Sequence, residues 1–165
     1  MSLTQKLIAE LRREASSTRK VLERVPEDRL DWSPHPKSMS LGQLALHVAR
    51  LPGGIAELLT PAEVEAPNVP LPAARSLQEL LAALQHGVDH AAERFEEWGE
   101  GGLEETWKMR IDGRTAIESP RYEMIRSLMM NHIYHHRGQL TVYLRLLEVP
   151  LPPVYGPTAD ENPFG

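Results

Sequence analysis

The chain contains no cysteine. Disulfides, thiolate nucleophiles and thiolate-held metals are therefore excluded, and any bound metal must be held by histidine and carboxylate side chains. It also lacks a clustered Lys/Arg run, and its formal net charge is −5. A nucleic-acid surface needs a basic patch or stripe, so no nucleic-acid partner is expected. Apolar stretches are short and interrupted, which excludes a membrane-spanning helix. Residues 1–14 have no apolar signal-peptide core. Together these absences predict a cytoplasmic protein with no membrane partner. No internal repeat and no low-complexity tract is present. The 165 residues suffice for one domain with a real core, residues 1–165, and are too few for two.

What is present is helical patterning. Ser2 with Gln5, Ser40 with Gln43 and Ser76 with Glu79 have capping-box spacing, in which two side chains satisfy orphan N–H groups reciprocally. Apolar residues then recur at helical period. The first helix is predicted over Leu3–Val25, ended by Pro26, and the second over Leu41–Leu59. Pro52 inside the second removes a backbone hydrogen bond and clashes one turn back, so a kink or break is expected there. The third helix is predicted over Leu77–Trp98, stopped by the glycines of 99–102, and the fourth over Arg121–Glu148, closed by Pro150. Between them, Asp112-Gly113 is a hairpin signal. It suggests a short pair of strands, Thr106–Ile111 against Arg114–Ile117. The tail from Leu151 to Gly165 carries four prolines and is expected to be irregular. The fold class is all-α, a four-helix bundle with a short hairpin between helices three and four.

Seven histidines are present, and their placement carries the chemistry. With about 100° per residue and His132 as zero, His136 lies near +40°, on the centre line of an apolar stripe at roughly 30–40°. Leu128 and Leu146 fall near −40° and Gln139 near −20°, also on the inward side. His135 falls on the flank. Arg137, Thr141, Arg145 and Glu148 lie opposite, and Arg121, Arg126, Arg137 and Arg145 are assigned to a solvated face. His132 and His136 are thus i, i+4 neighbours able to share one ion. The alternative is a pair of core histidines bonded to carbonyls or water, and spacing alone does not separate the two. His86 and His90 have the same spacing but lie opposite their helix's apolar stripe, toward solvent. His47 sits at the edge of the second helix's stripe, where a lone histidine is more often a satisfied core residue than a ligand. Its value comes from the pair, because bundles build metal sites from facing helices. His35, between prolines, is expected to be exposed. Trp32, Trp98 and Trp107 are read as packing anchors. Met124, Met129 and Met130 are read as gap-fillers or as part of a dimer seam.

Two stretches and the tail carry a resemblance. Trp32 to His47, Asn131-His-Ile-Tyr-His-His-Arg-Gly-Gln-Leu140 and Val149 to Glu161 are similar to signatures of the DinB family, the DNA-damage-inducible, YfiT-like metalloenzymes. Its most specific part is His-x-x-x-His-Arg-Gly-Gln. The resemblance implies a four-helix bundle with a long connection and a three-histidine metal site, falling on His47, His132 and His136. It further implies zinc or nickel as the metal and a homodimer. Relatives include S-transferases that use low-molecular-weight thiols, and maleylpyruvate isomerase.

Two functions follow as expectations. The first is a metal-dependent enzyme acting on a small-molecule substrate, by thiol transfer with a low-molecular-weight thiol cofactor or by hydrolysis. Gln139 would then orient a ligand or support the site, although a packing role is the stronger reading. No catalytic base is identified, and Asp160 and Glu161 in the tail are the only carboxylates considered. The second is a non-catalytic, stress-associated bundle whose metal stabilises the fold. A closed site with four protein ligands would mark the structural role, and an open position the catalytic one.

Overall fold

The computed structural model describes all 165 residues. Helix α1 spans Leu3–Leu22 and α2 spans Leu41–Leu58. Strand β1 (Glu63–Glu65) precedes α3 (Leu77–Glu104), and strands β2 (Thr106–Ile111) and β3 (Arg114–Pro120) follow it. The last helical rod is built of α4 (Arg121–Met124), a π-helical segment (Ile125–Asn131) and α5 (His132–Leu146). In the bundle α3 lies between α1 and α2, and the last rod packs against α2 and α1 to close it. One core of 31 buried apolar residues runs through all of these helices.

The helix starts follow from their caps. Full capping boxes form at Ser2/Gln5 and Ser40/Gln43. At α3 only half the box forms. Ser76 accepts from Glu79 N, whereas the Glu79 carboxylate takes the N–H of Arg75 at 2.8 Å. Helix α1 ends at Leu22, three residues earlier than expected. Its buried face includes Glu14, Thr18 and Val21 beside Leu7, Leu11 and Leu22.

Helix α2 runs unbroken through Pro52, so of the expected kink or break the break does not occur. The next residue explains part of the local geometry. Gly53 faces Gly87 of α3 so closely that a Cβ on Gly53 would lie 2.9 Å from the Gly87 Cα. With no Cβ on Gly53 or Gly87, the two helix backbones meet there. Gly99 (φ 56, ψ −169) interrupts α3 at the expected place, but a further turn forms beyond it and buries Leu103.

The bundle is not purely α-helical. The hairpin forms at Asp112-Gly113, both with positive φ as a tight hairpin turn requires. β3 extends to Pro120, and β1 adds a parallel third strand, giving the order β1-β2-β3. Three-residue β1 lies in the proline-rich connection between α2 and α3, and no strand was expected there. The sheet docks through Trp107, which is fully buried and donates its indole N–H to the Leu58 carbonyl at 3.3 Å. That bond satisfies one orphan carbonyl at the end of α2. Trp32 packs edge-on against Tyr143, with ring centroids 5.6 Å apart, and Trp98 lies under the Arg121 guanidinium. All three tryptophans are packing anchors. Met124, Met129 and Met130 are buried core residues and form no exposed seam.

Two arginines correct the solvated-face reading of the last rod. Arg121 and Arg137 are 3% and 2% exposed. Arg121 donates to the Leu59 carbonyl at 3.0 Å and to that of Gly102, joining the ends of α2 and α3. Arg137 donates to Glu14 and Thr18 of α1 and to the Tyr155 hydroxyl of the tail. Arg145 is exposed as expected and pairs with Asp160, while Arg126, partly covered, pairs with Glu10 at 2.7 Å.

Candidate metal centre

The π segment decides how the histidines are presented. Hydrogen bonds from i to i+5 widen the turn, so each residue advances by less than the α-helical 100°. A wheel drawn through the whole rod therefore slips. Within α5 the buried residues are Ile133, Leu140 and Leu144, together with Arg137. The three apolar ones lie at about 80–120° from His132, not at 30–40°. His132 and His136 consequently occupy the flank of the buried face rather than its centre, and both are half-buried. Leu146, placed inward by the wheel, is 58% exposed. π-Helical segments recur at functional sites, and here the segment ends immediately before His132.

His47, on α2, faces the pair. The three side chains offer ring nitrogens that all lie within 4.8 Å of one another. Ring centroids are 5.1 Å apart for His47–His132 and 4.6 Å for both His47–His136 and His132–His136. The Nε2 atoms of His47 and His132 are 3.3 Å apart. Two nitrogens bound tetrahedrally at zinc's usual distance of about 2.0–2.1 Å would be separated by about 3.3–3.4 Å. The donor set and its spacing thus fit a small divalent transition metal.

The electrostatics favour neutral, ligand-ready imidazoles. Burial pushes His47 down to about 4, and the neighbouring His136 and His132 add to the shift. Burial also lowers His132, against a hydrogen bond to the Leu128 backbone that opposes the shift. His136 is lowered mainly by burial, against its bond to Gln139. Three adjacent rings that resist protonation keep their lone pairs available near neutral pH.

Gln139 is not packed into the core but bonds a cluster histidine. It is exposed, and its Oε1 accepts from His136 Nδ1 at 2.7 Å. An Nδ1–H donor sets the tautomer, leaving the His136 Nε2 lone pair free to coordinate. The other candidates stay apart from the cluster. His35 is exposed and its Nδ1 accepts from Lys37 N. His86 is exposed, while His90 is partly covered and bonded to Glu57 at 3.2 Å. His135 is exposed, beside His136. Asp160 is held by Arg145 and the Leu151 N–H, and Glu161 by Arg24, so the tail carboxylates are engaged elsewhere.

A cavity of about 350 Å³ opens beside His47 and His132. Its walls come from α2 and from residues 67–72, the chain that follows β1. No motif in the sequence marks these residues as part of a site. A larger depression of about 520 Å³ by Arg19, Glu27 and Gln85 is widely open to solvent and contains none of the histidines. Sequence reasoning also missed Glu14. The available signal was a carboxylate at position 14 of the spacing 7, 11, 14, 18, in an otherwise apolar or small stripe.

Fold and site together define a helical bundle carrying a three-histidine cluster on two facing helices. The DinB family model matches residues 1–162, and the chain belongs to the DinB family. It is 27% identical over 150 residues to the uncharacterized protein YrdA of Bacillus subtilis (strain 168), covering 90% of this chain and 85% of the relative. Similar solved structures include a DinB-like protein from Bacillus cereus ATCC 10987, with TM-score 0.73 and 24% identity, covering 92% of this chain and 97% of that one. Another is the DinB-like protein YjoA from Bacillus subtilis, with TM-score 0.68 and 19% identity, covering 90% and 96%. At these identities the two structures speak for the fold.

Proposed function

We propose that this protein is a metal-dependent enzyme acting on a small molecule, with zinc or nickel held by His47, His132 and His136. The observation that carries this reading is the three-histidine cluster, two of whose members, His47 and His132, line an apolar cavity, with no fourth His, Asp or Glu in the cluster. Three protein ligands beside a cavity are the pattern of catalytic zinc sites, whereas structural sites are closed by four. Bound there, the metal would supply Lewis acidity, lowering the pKa of a coordinated thiol or water.

The chain's own residues supply the rest. His47 and His132 border the cavity, so a substrate in it meets the cluster from that side. Gln139 holds the His136 ring and its tautomer. The walls are mostly apolar, so a substrate filling the cavity would displace water from beside the cluster and strengthen electrostatic interactions there. Thiol transfer with a low-molecular-weight thiol ranks first, since family resemblance points the same way, and hydrolysis second. The test is metal content of the untagged protein, followed by assay of the loaded protein with small thiols and an electrophile such as 1-chloro-2,4-dinitrobenzene. Stoichiometric zinc or nickel with thiol-dependent turnover, lost in His47→Ala, supports the enzyme. Stoichiometric metal that raises the melting temperature, with neither transfer nor hydrolysis, would mark a structural site in a non-catalytic bundle.

A further inference from the structure

The segment Pro67-Asn68-Val69-Pro70-Leu71-Pro72 forms an outer wall over the cavity. It is tethered at both ends. At its start, Ala66 N donates to the Arg110 carbonyl of β2 at 2.7 Å. At its end, Gln43 Nε2 donates to the Leu71 carbonyl at 2.9 Å, and Ala74 N donates to the Gly42 carbonyl. Gln43 uses its other amide atom to cap α2, accepting from Ser40 N. One side chain therefore fixes both the start of the His47 helix and the wall facing it. The three prolines have no N–H to leave unsatisfied, and their fixed φ stiffens the span.

Val69 and Leu71 belong to this wall, yet they are 59% and 41% exposed. Across the cavity stand Leu51, Ile55 and Leu58 of α2. Large apolar side chains left this open gain free energy only when something apolar covers them. The cavity volume lies within the usual range for small-molecule sites, and such sites are mostly apolar with a few polar groups that fix orientation. The polar groups here are His47 and His132 at one side and Gln43 and Arg50 at the rim.

We infer that the substrate carries an apolar alkyl or aryl group, clamped between Ile55 and Leu58 on one side and Val69 and Leu71 on the other, with its reacting end at His47 and His132. The tethered segment is thus the specificity element of the site. This rests on the functional reading above, since that reading places the reaction at the histidines, but the apolar clamp is testable without it.

The test uses the zinc-loaded 165-residue chain and two probes. The first is the neutral apolar fluorophore 1-aminoanthracene, which needs no metal. The second is a series of straight-chain hydroxamates from two to eight carbons, which bind metal by the head group and differ only in the chain. Binding is read by fluorescence and by calorimetry. One fluorophore is expected per chain. Six added methylenes are expected to tighten hydroxamate binding by at least about a hundredfold. Val69→Asn and Leu71→Asn, both at exposed positions that leave the core intact, are expected to remove most of that gain while leaving the two-carbon hydroxamate unchanged. Chain-length independence with normal binding of the short hydroxamate would overturn the clamp and leave the metal reading standing. Fluorophore binding that Val69→Asn and Leu71→Asn do not weaken would overturn it as well. Fluorophore binding that these variants abolish, in a protein that takes up no metal, would keep the clamp and remove the metal reading.

Discussion

Arg137 donates to the Glu14 carboxylate at 2.8 Å, with both side chains almost completely buried, one residue beyond the histidine that Gln139 orients. Arg137 also donates to the Glu14 carbonyl and the Thr18 hydroxyl, and Tyr155 closes the set by donating to the same carboxylate. His132 and His136 thus sit on a helix whose rotation is fixed from behind by a buried, hydrogen-bonded ion pair, and His47 faces them from α2. Removing one partner leaves the other charge uncompensated. Glu14→Ala or Arg137→Ala should therefore cost about 3–5 kcal/mol in urea unfolding. A double replacement, Glu14→Leu with Arg137→Met, should recover much of that loss, since neither charge is left behind. Equal losses in the single and double variants would refute this account.

Removing any one of His47, His132 or His136 leaves two imidazoles, too few for a stable site. Each alanine variant should lose bound metal on dialysis where the wild type retains it, as read by elemental analysis. Gln139→Ala should act more mildly. Loss of a residue that orients a ligand typically lowers metal affinity about 10–100-fold, and competition with a chromogenic chelator would measure it. His86→Ala should leave metal content unchanged, because that ring lies outside the cluster.

The metal-free protein should lose stability as pH falls through the acid side of neutrality. In the unfolded chain a histidine protonates near 6.5, whereas burial holds His47 down to about 4 in the folded state, with His132 and His136 lowered too. Between those values the unfolded chain binds more protons, so stability is fully present above about 6.5 and declines toward pH 4. Burial raises the Glu10 carboxyl, but the hydrogen bonds from Arg126 and Tyr134 together outweigh it and hold it below its ordinary value, so Glu10 adds a loss of the same sign at lower pH. The histidine share is isolated by comparing melting temperature against pH in the wild type and in His47→Gln. The variant should show the shallower slope between pH 7 and 4.

Adjacent glycines in α2 should respond oppositely to alanine. A Cβ at Gly53 would stand 2.9 Å from the Gly87 Cα, a backbone atom that cannot turn aside, so Gly53→Ala should destabilise by about 1–3 kcal/mol. Gly54 has nothing within 4 Å of its would-be Cβ. Gly54→Ala should stabilise by about 0.5–1 kcal/mol through helix propensity. Thermal melts of the two variants check both signs.

The sequence by itself determined the helices, because caps and apolar period act over a few residues. Ser2/Gln5 and Ser40/Gln43 start α1 and α2 through contacts three residues apart, and Asp112-Gly113 turns the hairpin by its own dihedral preference. The histidine pair was legible for the same reason, since i, i+4 spacing brings two rings together on any helix. Tertiary structure alone decided the rest. A π segment between Ile125 and Asn131 reset the rotation of α5, so the pair lies on the flank and Arg137, assigned to solvent by an α-helical wheel, is buried against Glu14. β1 needed β2, more than forty residues away, to become a strand. The wall at Val69 and Leu71 exists only because Arg110 and Gln43 hold it there. Local pattern sets which residues can form an element. Long-range contacts set how far it turns, what it faces and which of its polar groups find partners.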